Sequence, residues 1–212
     1  MRTVVGIVGY YQFLRGYPLG PELMASLRAQ PWAAELDIRE MNWGPIAIVQ
    51  DFQAQAKRPQ RVVLVGAVDR GLAPGSVACR RWAGGTLEPL AVQRRVFEAV
   101  TGVISLDNLV VIGAHFGVWP ETLLTVELQA LETDVSDLVL GEIEGDRRSG
   151  VIGVVGERPL TPGNRRIVAQ LVETIGHAAL DEPPPEVQPL TVAQLTPAAT
   201  VSHHRFFDET VR

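Results

Sequence analysis

Apolar positions along this chain follow two rhythms, unbroken short runs and stripes with a helical repeat. TVVGIVG (3–9) and RVVLVGAV (61–68) are continuous, β-branched and strand-length, the pattern of strands covered on both faces. The second run is the stronger and predicts the centre of a sheet. LDIREM (36–41) alternates, VACRRW (77–82) reads as a further strand, and TLLTVELQAL (122–131), after Trp119-Pro120, as another. Helical stretches lie between them. Residues 21–29 carry Leu23, Met24 and Leu27 on one side after a Gly-Pro start. PIAIVQDFQAQAK (45–57) carries Ile46, Ile48, Val49 and Phe52 and stops before Pro59. LEPLAVQRRVFEAVTG (87–102) places Leu90, Val96, Phe97 and Val100 at helical intervals, the spacing of a core face. VISLDNLVVIGAHFG (103–117) brings Leu106, Leu109, Val110 and His115 within range of the core. From Leu160, a closing helix has Thr161 as its cap and Ile167, Val168, Leu171, Val172 and Ile175 on one face. In 132–160, LVLGEI and GVIGVVGE flank the polar EGDRRSG, a β-hairpin pattern.

Strands alternating with helices predict an α/β fold, a three-layer sandwich with a mostly parallel central sheet flanked by helices. The pattern assigns residues 1–180 to that domain. Residues 181–212 differ in kind: they hold five of the fifteen prolines and lack helical periodicity, which reads as a Pro-rich extended tail unable to build a core alone.

Composition narrows the classes. With 212 residues, 46% apolar and 20% charged, the chain is an ordinary soluble domain, and a net charge of −5 gives no general reason to expect nucleic acid. The longest apolar runs are strand-length, so no membrane span is expected. MRTVVGIVG enters a strand at once and does not read as a secretory signal, which makes a cytoplasmic protein the expectation. Cys79 is the one cysteine, so neither an internal disulfide nor a thiolate cluster is available.

The candidate chemistry is sparse. FLRGYPLGPELMASLR (13–28) has the glycine-bracketed strand-to-helix turn where α/β proteins place ligand groups, yet no acid or histidine stands between Arg15 and Gly20. At GIVG the Gly-x-Gly-x-x-Gly spacing fails and Tyr10-Tyr11-Gln12 would crowd a pyrophosphate, which argues against a dinucleotide. No Gly-x-Ser-x-Gly elbow occurs. YYQFLRGY (10–17) gathers Tyr10, Tyr11, Phe13, Arg15 and Tyr17, residue types enriched at the buried centres of protein interfaces. The same loop would also serve to pack over its own sheet. Trp43 in MNWGP and Phe206 and Phe207 in HHRFF extend the candidate binding surface, and LTVAQL adds spaced apolar anchors. Asp69 suits a turn fixed with Arg70 and Gly71. Asp107 and His115 fall eight apart, about two helical turns, and so can share a face. Glu127 and Gln129 alternate as a polar face or strand end, and Cys79 beside Arg80 and Arg81 suits either a small core residue or a thiol of lowered pKa.

Five pieces in order, GIVG, LRG with LGPELMASLR, RVVLVGAVDRGLAPGSV, VWPETLLTVELQALE and LTPGNRRIVAQLVETI, resemble the hydrogenase maturation endopeptidases over about residues 3–180. The resemblance implies docking on the large subunit of a nickel–iron hydrogenase and removal of its C-terminal extension after nickel insertion. Two carboxylates and a histidine would bind that nickel. At the matching positions this chain has Tyr17 and Pro18 in LRGYPLGP, Gly66 in LVGAVDRG, and Gly102 within the stretch 101–103. None of these supplies an anionic or imidazole donor. The expectation is therefore a non-catalytic relative without metal or cofactor, acting as a binding or assembly factor or accessory subunit of a hydrogenase-like or other multisubunit redox complex. The alternative is a divergent working endopeptidase that uses Asp69, Asp107 or His115 instead.

Overall fold

The protein is described here by a computed structural model, covering residues 2–9, 20–32, 36–85, 87–100, 104–129, 161–180 and 187–195. β1 (Thr3–Val8), β3 (Arg61–Val68) and β5 (Thr122–Gln129) are the apolar runs, and they lie side by side and parallel at the sheet's centre. β2 (Leu36–Met41) pairs parallel on the outside of β1. β4 (Val77–Gly84) returns antiparallel along β5, and β6 (Gln188–Thr191) runs parallel to β4, giving the order β2-β1-β3-β5-β4-β6.

Helices cover both faces. α1 (Pro21–Arg28) and α5 (Pro162–Ala179) bury Leu23, Leu27, Val168, Leu171 and Ile175 against Val5, Ile7, Val63, Val65 and Val126. α2 (Pro45–Ala54), α3 (Pro89–Val100) and α4 (Leu106–His115) cover the other face, where Ile48, Phe52, Leu106, Leu109 and Ile112 meet Val4, Leu64 and Leu123. Alternate residues of one strand thus serve two cores, which is why the central strands read as unbroken apolar runs. Thr161 and Ser105 accept hydrogen bonds from the amides of Asn164 and Asn108 and cap α5 and α4. The end of α5 is tied to the sheet's entry edge: Thr3 Oγ1 donates to the carbonyl of Ala179 at 3.4 Å, and Arg61 Nη1 to that of Ala178 at 3.1 Å. Trp119 donates from Nε1 to Val110 O and stands edge-on to Phe52, with ring centroids 5.1 Å apart. That indole lies flush on Gly113 of α4, where an added Cβ would fall 2.2 Å from the ring.

Three expectations are corrected. In α3 the inward residues are Val92, Arg95, Glu98 and Ala99, whereas Leu90, Phe97 and Val100 are exposed. Arg95 donates to Asn108 Oδ1 of α4 at 2.8 Å and pairs with Glu98 one turn on along α3, so a polar group anchored to α4 takes the inner face. His115 is exposed, because α4 turns its apolar side to the core over the first two turns and ends in solvent. Finally, part of the stretch assigned to the tail belongs to the sheet, since β6 and the 3-10 turn Val192–Gln194 pack Leu190 and Leu195 against Val111. Spaced leucines on a short edge strand gain burial that the prolines around them cannot supply. The hairpin expected in 132–160 lies outside the described residues. Among the described residues, no helix is long and apolar enough to cross a membrane.

Candidate functional site at the carboxyl ends of β3 and β5

In open α/β sheets, ligand groups gather beyond the carboxyl ends of the parallel strands. Here β3 runs into the turn 69–76, whose reversal relies on Gly71 and Gly75, both at positive φ. Gln129, the last residue of β5, holds this turn from the neighbouring strand. Its Oε1 accepts from the amides of Arg70 (2.8 Å) and Leu72 (3.2 Å), and its Nε2 donates to Asp69 Oδ1 (3.0 Å). Asp69 also accepts from the Gly71 amide at 3.1 Å. These hydrogen bonds, that from Gln129 first, hold the exposed Asp69 carboxyl below the usual aspartate range.

So anchored, Arg70 folds its side chain back beneath the turn. Nη1 and Nη2 donate to the two carboxylate oxygens of Asp107 at 2.9 and 2.6 Å, while Nε and Nη2 donate to those of Glu127 at 3.2 and 3.0 Å. Nη1 also reaches the carbonyl of Gln194 at 3.1 Å. Arg80 on β4 adds a second cation, donating from Nε to Glu127 Oε2 at 3.0 Å and from Nη1 to Gln188 Oε1 at 2.9 Å. Glu127 is 1% exposed and Asp107 4%. Burial opposes the charge on Arg70, but the hydrogen bonds and charges of Asp107 and Glu127 outweigh it and raise its pKa above the ordinary arginine value. Beside the cluster, burial pushes the Cys79 thiol up to about 11, with the charge of Glu127 adding to the effect.

Gly66 lies directly across from Glu127 in the β3–β5 register. A Cβ there would fall 2.8 Å from the Cβ of Leu106, the first residue of α4. The place of the expected acid on β3 is therefore filled by a core leucine, and an aspartate at this position has no room. Among the described residues, the remaining donors do not fit a nickel ion. Such an ion needs carboxylate and imidazole groups free to face it. Asp107 and Glu127 present their oxygens to Arg70 instead, and Asp69 is exposed and engaged by the turn. His115 stands about 12 Å along α4 from Asp107 and packs edge-on against Phe116. Asp107 and His115 do lie two turns apart on one helix, but Asp107 is buried and His115 exposed, so they do not converge on one site. Among the described residues no group of three or more His, Cys, Asp or Glu converges.

Of the expected binding residues, Trp43 is 56% exposed in the loop between β2 and α2. A Cβ on Gly44 would fall 3.9 Å from the carbonyl of Ala99, so this loop abuts the end of α3, where Val100 is 72% exposed. Tyr10, Tyr11, Phe13, Arg15, Tyr17, Pro18, Gly102, Phe206 and Phe207 lie outside the described residues. Arg70, Arg80 and Glu127 were not singled out as a unit by the sequence. The available signal was a glutamate in the middle of the apolar strand TLLTVELQ, a residue that needs a partner when buried. On the other face of the sheet, a groove of about 870 Å³ runs between α1 and α5, floored by Val168, Val172 and Trp32 with Arg165, Glu173 and His177 along its rim.

These features define a three-layer α/β protein whose carboxyl-end site is closed by a buried ion cluster. No protein-family model matches the chain, and no curated protein does. Solved structures do. The chain is similar to an endopeptidase from Escherichia coli known in solution (14% identity, 84% of this chain and 91% of that one covered, TM-score 0.49). It is also similar to the hydrogenase maturating endopeptidase HybD from E. coli (15%, 82% and 90%, TM-score 0.45). A third is the [NiFe] hydrogenase maturation protease HycI from Thermococcus kodakarensis KOD1 (17%, 84% and 91%, TM-score 0.46). Each likeness is one of fold.

Proposed function

We propose that this protein is a non-catalytic relative of the hydrogenase maturation endopeptidases that works by binding, as an assembly factor or accessory subunit of a hydrogenase-like or other multisubunit redox complex. One observation carries the reading: the two buried carboxylates at the carboxyl ends of the sheet are both engaged by Arg70. A carboxylate bridged by a fixed guanidinium is neither a ligand for a divalent ion nor a base poised for water. Leu106 against Gly66 supports the same conclusion from the neighbouring strand. What the molecule offers instead is apolar surface, with Trp43, Phe97 and Val100 exposed around one end of α3. Aromatic residues of this kind anchor protein interfaces.

The test uses the purified full-length chain and a hydrogenase large-subunit precursor that retains its C-terminal extension. Binding is followed by interferometry and cleavage by intact mass. The expected result is association that weakens at least tenfold in Trp43→Ala, with the extension left intact. Removal of the extension, or stoichiometric nickel binding that disappears in Asp107→Asn, overturns the proposal.

A further inference from the structure

The groove between α1 and α5 lies on the opposite face of the sheet from α3 and its exposed apolar end. It follows α5 from Arg165 to Leu180, about 22 Å or four helical turns at 1.5 Å per residue. Its far wall is fixed. Trp32 Nε1 donates to the carbonyl of Leu27 at 2.8 Å, and the ring edge rests on Gly176, where an added Cβ would fall 2.8 Å from it. An open trough of this length suits an amphipathic helix better than a compact metabolite.

The charges along the groove say which helix. Ala169 is exposed on the α5 side of it, and positions three, four and seven steps to either side of Ala169 share its face. Four steps out stand Arg165 and Glu173, of opposite charge and both exposed. Three steps out stand Arg166 and Val172; seven steps out stand Pro162 and Gly176. Arg165 and Glu173 are about 12 Å apart along one helix, too far to face each other within it. Two copies of α5 laid antiparallel, with Ala169 on the two-fold axis, bring each Arg165 to Glu173 of the other copy. The same register lays the stem of Arg166 over Val172 and sets Pro162 on Trp32, which covers Gly176. The stripe thus complements itself in charge and in bulk, the requirement of an isologous contact. An unrelated helix would have to bring an acid and a base at this spacing, and a second α5 already carries them.

We propose that the α1–α5 groove is a self-association surface, in which α5 of a second copy of this chain packs antiparallel across Ala169 and pairs Arg165 with Glu173 twice. The inference stands apart from the proposed binding function, because it uses the other face of the sheet and leaves Trp43, Phe97 and Val100 uncovered.

Sedimentation velocity on the full-length chain, from micromolar to near-millimolar protein, tests it. The expected result is a reversible equilibrium between monomer and dimer. Arg165→Glu and Glu173→Arg each weaken that dimer at least tenfold, since each sets two pairs of like charges face to face. An equimolar mixture of the two variants regains it, because one then offers only acids and the other only bases at the paired positions. The mixture is also the control for folding, as only folded variants can recover the contact. A chain that stays monomeric at every concentration, a dimer indifferent to both reversals, or a mixture that stays monomeric overturns the inference.

Discussion

Arg70 grips both carboxylate oxygens of Asp107, joining the turn after β3 to the first turn of α4 with a two-pronged hydrogen bond of 2.6 and 2.9 Å. Because its remaining donors hold Glu127, one cation compensates two buried anions with help from Arg80. Removing it leaves charge in a region that water does not reach. Arg70→Met is expected to cost about 3–5 kcal/mol of unfolding free energy. Adding Asp107→Asn and Glu127→Gln to that variant should return a large part of the loss. Urea unfolding followed by tryptophan fluorescence measures both, and a loss below about 1 kcal/mol would show that the cluster is solvated.

Gly66 makes a steric prediction. Gly66→Ala places a methyl group 2.8 Å from Leu106 Cβ, and is expected to destabilise by about 1–3 kcal/mol through overpacking. Truncating the opposing residue, Leu106→Ala, is costly alone. The double variant should then lie closer to Leu106→Ala than the sum of the two losses predicts, a coupling that a double-mutant cycle reads directly.

Gly113 should invert an ordinary rule. Replacing a helix-interior glycine with alanine usually gains about 1 kcal/mol. At Gly113 the new Cβ meets the Trp119 ring at 2.2 Å, a rigid group held by its hydrogen bond to Val110 and by Phe52. Gly113→Ala is therefore expected to lower the melting temperature. It should also shift the fluorescence of Trp119, and a rise in melting temperature would contradict the packing described.

Cys79 sets an alkaline limit. Its thiol is raised by burial from 9.0 to about 11, so between those values the unfolded chain has released a proton that the folded chain keeps. The contribution is fully present below pH 9 and is lost as pH rises through about 11. At about 1.4 kcal/mol per pH unit the full loss approaches roughly 2–3 kcal/mol. Unfolding curves of the native chain and of Cys79→Ala, compared between neutral and alkaline pH, should converge as pH rises. Parallel curves would place the thiol in contact with solvent.

Strands β1 to β5 and the five described helices were legible as elements in the sequence, because most of them bury a continuous or periodic apolar set. What was not legible depended on polar groups finding one another. The periodicity of α3 pointed Leu90, Phe97 and Val100 inward, yet Arg95 meets Asn108 thirteen positions away and reverses the helix. The ion cluster joins residues 37 and 57 positions apart through a turn whose return path no local pattern announces. Asp107 was visible as an acid on α4, but its role was not, since the sequence does not reveal which charge arrives to meet it. The strand at 188–191 escaped notice for a different reason, being four residues long and containing a proline at its exposed edge.

The hydrogen bonds from Thr3 to Ala179 and from Arg61 to Ala178 join the starts of β1 and β3 to the closing helix. During synthesis, the cover that α1 begins on one face of the first apolar run must therefore wait for α5, the last helix described, before it is complete. A chain halted before α5 would leave the face carrying Val5, Ile7, Val63 and Val65 only partly covered. Nascent fragments of this protein should accordingly depend on holding factors that full-length molecules do not need.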